Sequence, residues 1–166
     1  MTKLRLRNAT INDAKLLREW DQQPHIIASK GNEDWEWETE LPQTPEWKQQ
    51  FIVSVNDHPM GFIQIIDPYK EETHYWGNVS TGLRAIDIWI GDKRYIGKGY
   101  GTQMMRRAID LCFANPDVNA ILVDPLSKNK RAHKFYQKLG FKFETQRFFG
   151  EDDCTVHKLI REDYKD

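Results

Sequence analysis

Arg94-Tyr95-Ile96-Gly97-Lys98-Gly99-Tyr100-Gly101-Thr102 stands between an apolar run and a stretch with helical periodicity. Glycines at alternate positions let a backbone approach a ligand closely, because no Cβ intervenes. The following residues read as a helix, so the loop amides and the positive end of the helix dipole converge on one spot. Such a spot suits an anionic group, and phosphate above all. No Lys-Ser/Thr pair closes the loop as in a Walker motif, and the glycine spacing is not that of a dinucleotide fingerprint. Taken alone, the stretch also fits a tight strand-to-helix turn.

A second segment, Asn129-Lys130-Arg131-Ala132-His133-Lys134-Phe135-Tyr136-Gln137-Lys138-Leu139-Gly140-Phe141, follows another apolar strand. Together the two resemble the GCN5-related N-acetyltransferase superfamily. Its pyrophosphate loop, Arg/Gln-x-x-Gly-x-Gly/Ala, is matched by Arg94, Gly97 and Gly99. Its second signature is matched by Asn129, Ala132, Tyr136, Lys138, Gly140 and Phe141. The resemblance implies a mixed α/β fold, a mostly antiparallel central sheet flanked by helices, with acetyl-CoA as cofactor.

Periodicity gives the same element order. Leu4 and Leu6 alternate with Arg5 and Arg7, as in a half-buried strand. Thr10-x-x-Asp13 reads as a capping box before the helical stripe Leu16, Leu17, Trp20. Phe51 to Val55 and Met60 to Ile66 form a hairpin around Asn56-Asp57-His58-Pro59. Leu83 to Ile90 is a strand leading into the glycine loop. Met104, Ala108, Leu111 and Cys112 mark one helical face, stopped by Asn115-Pro116-Asp117. Ala120 to Val123 is a short buried strand. Ala132, Phe135, Tyr136 and Leu139 stripe a last helix with Gly140 as its cap. Two strands, about Lys142 to Phe149 and Cys154 to Ile160, flank Gly150-Glu151-Asp152-Asp153. Residues 29 to 48, rich in Trp and Glu, are expected to form a loop or short helix that carries function rather than core.

The 166 residues suit a single domain, 1–166. Twenty-four Lys and Arg against 25 Asp and Glu leave a net charge of −1, so no basic field points to nucleic acid or an anionic membrane. No run is apolar enough for a membrane span, and Met1 to Arg7 has no signal-peptide core. Cys112 and Cys154 offer neither a disulfide framework nor metal-ligand spacing. The five histidines, 25, 58, 74, 133 and 157, do not cluster as metal ligands either. A cytoplasmic protein, monomer or homodimer, is expected.

One residue is out of place for a structural strand. In Ala85-Ile86-Asp87-Ile88-Trp89-Ile90, alternation puts Asp87 on a face with Ala85 and Trp89. A carboxylate there needs a partner, which a substrate ammonium or a structural Arg or Lys would supply. Asp124 repeats the theme at the end of Ile121-Leu122-Val123, although an Asp before Pro125 also starts turns. Tyr136 either extends an apolar stripe or is an acid for a departing thiolate, since phenol and thiol have similar pKa values.

The run from Ala85 to Thr102, with Asn115-Pro116-Asp117-Val118 and Asp124-Pro125, resembles the aminoglycoside 6'-N-acetyltransferases. That resemblance implies a small-molecule polyamine acceptor. It makes Asp87 and Tyr136 the catalytic pair and Asp87, Asp124, Glu151, Asp152, Trp35 and Glu72 the acceptor-binding residues. The cofactor would lie along Ile88, Trp89, Ile90, Arg94, Ile96, Gly97, Lys98, Gly99, Tyr100, Gly101 and Thr102, with Asn129, Ala132 and Lys138. A polycationic sugar suits a cleft lined with carboxylates, and Trp35, Trp37, Trp76 and Trp89 could offer ring faces to it or simply pack. Lys128, Lys130, Arg131 and Lys134 suit the 3'-phosphate of CoA or a solvated helix face. Siderophore hydroxylamine or peptide N-acylation, and a non-catalytic CoA-binding module, are the alternatives.

Overall fold

The structure, a computed structural model, describes residues 3–31 and 33–164. Seven strands form a single sheet in the order β1-β2-β3-β4-β5-β7-β6. They are β1 (Leu4–Asn8), β2 (Lys48–Val55), β3 (His58–Ile66), β4 (Leu83–Ile90), β5 (Ala120–Val123), β6 (Lys142–Phe149) and β7 (Asp152–Ile160). Every neighbouring pair is antiparallel except β4 and β5. The helices are α1 (Ala14–Asp21), α2 (Pro24–Lys30), α3 (Trp37–Glu40), α4 (Tyr100–Phe113) and α5 (Lys130–Lys138). The expected element order and fold class are found.

Alternation along the strands divides the core between two faces. Val53, Ile63, Ile86 and Ile121 pack against Met104, Met105 and Ile109 of α4 and Leu139 just beyond α5. On the opposite face, Ile52 and Phe62 meet Leu17 and Trp20 of α1 and Trp37 of α3. A third cluster on that face joins Ile66, Ala85 and Leu122 to Trp76, Phe149 and Val156.

Local chemistry sets the boundaries. The capping box is present: Thr10 Oγ1 accepts from the Asn12 amide, and the Thr10 amide donates to Asp13 at 2.8 Å. It turns the chain through a short 3₁₀ segment into α1, and Arg7 pins Asp13 from β1 at 2.7 and 2.9 Å. The hairpin turn is tighter than the sequence suggests. Only Asn56 and Asp57 leave the ladder, both with positive φ (49° and 65°), the two-residue geometry that matches strand twist. The β6–β7 turn likewise contracts to Gly150-Glu151, so Asp152 belongs to a strand.

Two expectations are corrected. The buried arc of α4 is Met104, Met105, Ala108, Ile109 and Cys112, whereas Leu111 is exposed. At 100° per residue Leu111 falls at the edge of that arc. Residues 29 to 48 are partly core: Trp37 is 2% exposed and its indole donates to Asp21 at 2.7 Å, while Glu33 and Trp35 face a cleft.

The β4–β5 pairing positions the site. It extends only from Leu83↔Ala120 to Ala85↔Leu122, after which β5 ends and Asp124-Pro125 turns away. From Asp87 to Ile90, β4 pairs only with β3, so a cleft opens at the carboxyl ends of the two parallel strands.

A histidine pair holds α5 against the sheet beside this opening. His133 Nε2 lies 2.9 Å from the Ser127 carbonyl, so that nitrogen carries the hydrogen. Its Nδ1 must then accept from His157 Nε2, also 2.9 Å away. His157 is buried, and burial together with His133 lowers its pKa below the ordinary 6.5. A group neutral in the fold but protonated when unfolded contributes stability above about pH 6.5, which is lost as pH falls.

The carboxylates of the cleft, whose pKa values are raised, act with the opposite sign over the same window. The informative quantity is therefore a difference. His157→Gln keeps a donor toward His133 and removes the titration, so its melting temperature should decline less than the wild type's between pH 7 and 5. Parallel curves would show that His157 does not titrate. A second test concerns Gly91, where an added Cβ would lie 1.9 Å from Trp20 Cδ2. Gly91→Ala should lose roughly 1–3 kcal/mol in denaturant titrations through overpacking.

Candidate functional site

The loop before α4 is built for close approach. Gly97 and Gly99 have φ of 76° and 85°, a region side chains disfavour, and Gly99 is the left-handed cap of α4. Gly101 does not need that freedom and instead packs near Phe135. Among the described residues, no backbone carbonyl takes the amides of Gly97, Lys98 or Gly99. The first amides of α4, at Tyr100, Gly101 and Thr102, lack intrahelical acceptors by geometry. Arg94 is exposed at the loop entrance and tied to Asp92, Nη2 to Oδ2 at 2.6 Å, an interaction that holds the Asp92 pKa low.

From the loop an apolar groove of about 630 Å³ runs along the free edge of β4. Ile88, Trp89 and Ile90 form one wall, Ala132, Phe135 and Tyr136 of α5 the other, with Ile96 and Gly101 at the loop end. Lys128 and Arg131 add cations at its rim, whereas Lys130 and Lys134 lie outside it. His25 of α2 reaches across to the Ile90 carbonyl at 2.8 Å, fixing the helix over the strand edge. Loop amides, an unpaired strand edge and a long apolar slot together fit a phosphate-bearing, extended thiol cofactor.

Asn129 and Lys138 have local roles here. Asn129 Oδ1 accepts from the Ala132 amide at 3.2 Å, capping α5 at the groove wall. Lys138 is corrected as a groove residue. It follows Tyr136 by two positions, about 200° around the helix, and is solvent-exposed.

The groove opens past Asp87 and Tyr136 into a second cleft of about 410 Å³. Asp87 is fixed by a cross-strand row. Gln50 on β2 donates to Gln64 on β3 at 2.8 Å, and Gln64 donates to Asp87 Oδ2 at 3.3 Å. No Arg or Lys pairs with Asp87 among the described residues, which removes the structural ion-pair alternative.

Burial, then Asp124 and Glu33, raise the Asp87 pKa well above its ordinary value. Asp124 is pushed up to about 7, chiefly by burial. Tyr136 is buried, and burial with Asp87 and Asp124 raises its pKa, so its hydroxyl keeps its proton. A carboxylate of raised basicity and a neutral phenol therefore share one pocket.

Glu33 and Tyr75 complete the wall and are not apparent from the sequence. The Tyr75 hydroxyl lies 2.9 Å from Asp124 and 3.1 Å from Glu33. Asp152 and Trp35 line the same pocket, as expected. Glu151 is exposed at the β6–β7 turn and borders a separate surface depression. Glu72 is corrected: it is exposed and lines none of these cavities, whereas Glu71 turns inward because its carboxylate caps the Thr73 and Tyr75 amides. Trp37 and Trp76 are core residues, although Trp76 also borders the second cleft. Among the described residues, no helix is long and apolar enough to cross a membrane.

Comparison with known proteins agrees with this fold. The aminoglycoside N(6')-acetyltransferase type 1 of Klebsiella pneumoniae is 30% identical over 150 residues, covering 82% of this chain and 72% of that protein. The lysine N-acyltransferase MbtK of Mycobacterium tuberculosis is 26% identical, covering 93% of this chain and 73% of its own length. The structure of the aminoglycoside acetyltransferase AAC(6')-Ib with coenzyme A and kanamycin superposes with a TM-score of 0.84 at 25% identity, covering 96% of each chain. Residues 10–149, which include the glycine loop and Glu33, Asp87 and Asp124 of the acidic cleft, match the acetyltransferase (GNAT) domain family, and the chain belongs to it.

Proposed function

We propose that the chain transfers an acetyl group from acetyl-CoA to the 6'-amine of an aminoglycoside. The observation that carries this reading is the junction at Asp87 and Tyr136. There an apolar groove ending in a phosphate loop meets a cleft whose walls hold Glu33, Asp87, Asp124 and Asp152. Lys48 is the cation at the far wall of the second cleft, and Glu40 offsets it at 3.5 Å. Such a field attracts a compact polycation and leaves little for an anionic acceptor. The reading includes one domain over residues 1–166 and action in the cytoplasm as a monomer or homodimer.

The cofactor supplies the activated acetyl thioester. The amides of residues 97 to 102, with Arg94, Lys128 and Arg131 nearby, would hold its phosphates, and the β4 edge at Ile88 to Ile90 would align its arm. Asp87 accepts a proton from the acceptor ammonium and keeps the resulting amine aimed into the junction. Gln64 keeps the Asp87 carboxylate from rotating away. Tyr136 Oη would supply the proton that the departing thiolate needs. Asp124, Asp152, Glu33 and Trp35 bind the remaining cationic groups and the sugar face.

Transfer to a lysine side chain is the second reading, favoured by the similarity to the mycobacterial lysine acyltransferase. Thiol release from acetyl-CoA, measured with kanamycin, tobramycin, free lysine, a hydroxylamine siderophore precursor and a short peptide, separates the two. Turnover confined to the aminoglycosides is the expected result. Activity only on lysine, the hydroxylamine or the peptide would overturn the acceptor while leaving acyl transfer intact.

Tyr136→Phe should lower kcat by roughly 10²-fold with CoA affinity nearly unchanged, the scale of a lost general acid. An unchanged single-turnover rate would remove Tyr136 from the chemistry. Asp87→Asn should reduce kcat/KM for the acceptor far more than CoA binding, and equal losses in both would mark Asp87 as structural.

A further inference from the structure

Tyr75 is held between two carboxyl groups that one phenol cannot satisfy as ordinary carboxylates. Its oxygen lies 2.9 Å from Asp124 Oδ2 and 3.1 Å from Glu33 Oε1. A phenol has a single hydrogen and can donate it to one of them. The other contact is a hydrogen bond only when that carboxyl is itself protonated and donates to the phenol oxygen. Otherwise two lone pairs face each other in a half-buried site, which is costly.

The phenol cannot swing aside to choose one partner. Its ring stacks on Phe149 at 4.5 Å and 6°, and its amide donates to Glu71 at 2.9 Å.

We infer that Glu33 and Asp124 share one bound proton in the ligand-free protein, held in place by Tyr75, and that a cationic group of the acceptor displaces it on binding. The O–H bond of the carboxylic acid breaks, its proton goes to solvent, and the carboxylate left behind pairs with the ammonium. This inference rests on the reading of the cleft as the acceptor site. Tyr75 is then a positioning residue and Glu33 an acceptor-binding one.

The surroundings favour a stored proton. Asp152 on β7 adds negative charge near Glu33, and Asp87 on β4 is a third carboxyl facing the pair, its own pKa raised by burial, Asp124 and Glu33. Lys30 at the end of α2 and Arg147 on β6 oppose it. Arg147 is committed elsewhere, donating to the Trp76 carbonyl at 2.8 Å and lying over the Phe149 ring at 4.5 Å. Tyr136 faces the cleft from α5 as a neutral phenol. Both carboxyl groups have raised pKa values, chiefly from burial.

The test is calorimetric titration of the CoA-loaded protein with kanamycin at pH 7, in buffers of different ionisation enthalpy. The wild type should release about one proton more per bound kanamycin than Glu33→Gln, whose amide donates to the phenol and needs no stored proton. Equal proton counts, with binding intact in both, would overturn the displacement.

A second measurement does not use the acceptor. The infrared difference between ligand-free wild type and Glu33→Gln should contain the carbonyl band of a protonated carboxyl, and its absence would overturn the shared proton. The band without any kanamycin binding would overturn displacement together with the aminoglycoside reading. Unchanged CoA affinity of Glu33→Gln confirms that the variant is folded.

Discussion

Three rungs of parallel pairing between β4 and β5, ending at Ala85 and Leu122, determine what the molecule can do. Two strands that stayed paired would bury Asp87 in a continuous sheet with no space beside it. Because β5 stops and turns at Asp124-Pro125, the edge of β4 beyond Ala85 is left without a neighbouring strand. Edges of that kind are normally covered or charged. Here α2 and α5 stand on either side and leave a slot, so the strand edge becomes a surface for an extended ligand. The glycine loop lies at one end of that slot because β4 leads into it through Lys93–Tyr95.

The opposite end of the slot collects carboxylates from four separate parts of the chain: Glu33, Asp87, Asp124 and Asp152. Asp87 belongs to the Gln50–Gln64 row, Asp124 to the Tyr75 bridge, and Asp152 to the first rung of the β6–β7 ladder. Aromatic packing stiffens the wall behind them. Trp35, Trp37, Phe62 and Trp89 form one set of stacked and edge contacts, and Tyr75, Trp76 and Phe149 another. Apolar walls lower the local dielectric and strengthen whatever charge interactions occur between them.

Much of this was legible in the sequence, and the reasons differ by residue. Strand and helix periods gave the element order, and the glycine loop is a local backbone device whose residues are contiguous. Asp87 stood out because a carboxylate contradicts its own strand. Glu33 and Tyr75 carried no such contradiction, since a polar residue in a polar loop is unremarkable until the fold brings it beside Asp124. Gln64 was hidden for a related reason: its role exists only through the β3–β4 register. Glu72 and Lys138 were misplaced because motif spacing does not say which side of a turn or helix faces inward. The segment 29 to 48 was misjudged as free of core because composition cannot separate a tryptophan that packs, as Trp37 does, from one that binds.

The clustered carboxyl groups also set a balance between stability and function. A group whose pKa is raised in the fold binds protons more tightly folded than unfolded, so its ionisation near neutral pH works against the native state. Asp87 and Asp124 both do this. The molecule tolerates it because three apolar clusters, on both faces of the sheet, lie around the cleft and hold its walls. Neutralising Asp87 or Asp124 in an apolar-compatible way should relieve that tension, which is the usual relation between an active site and the stability of its scaffold. On the proposed reading, what the fold loses by gathering like charges a cationic acceptor would restore on binding.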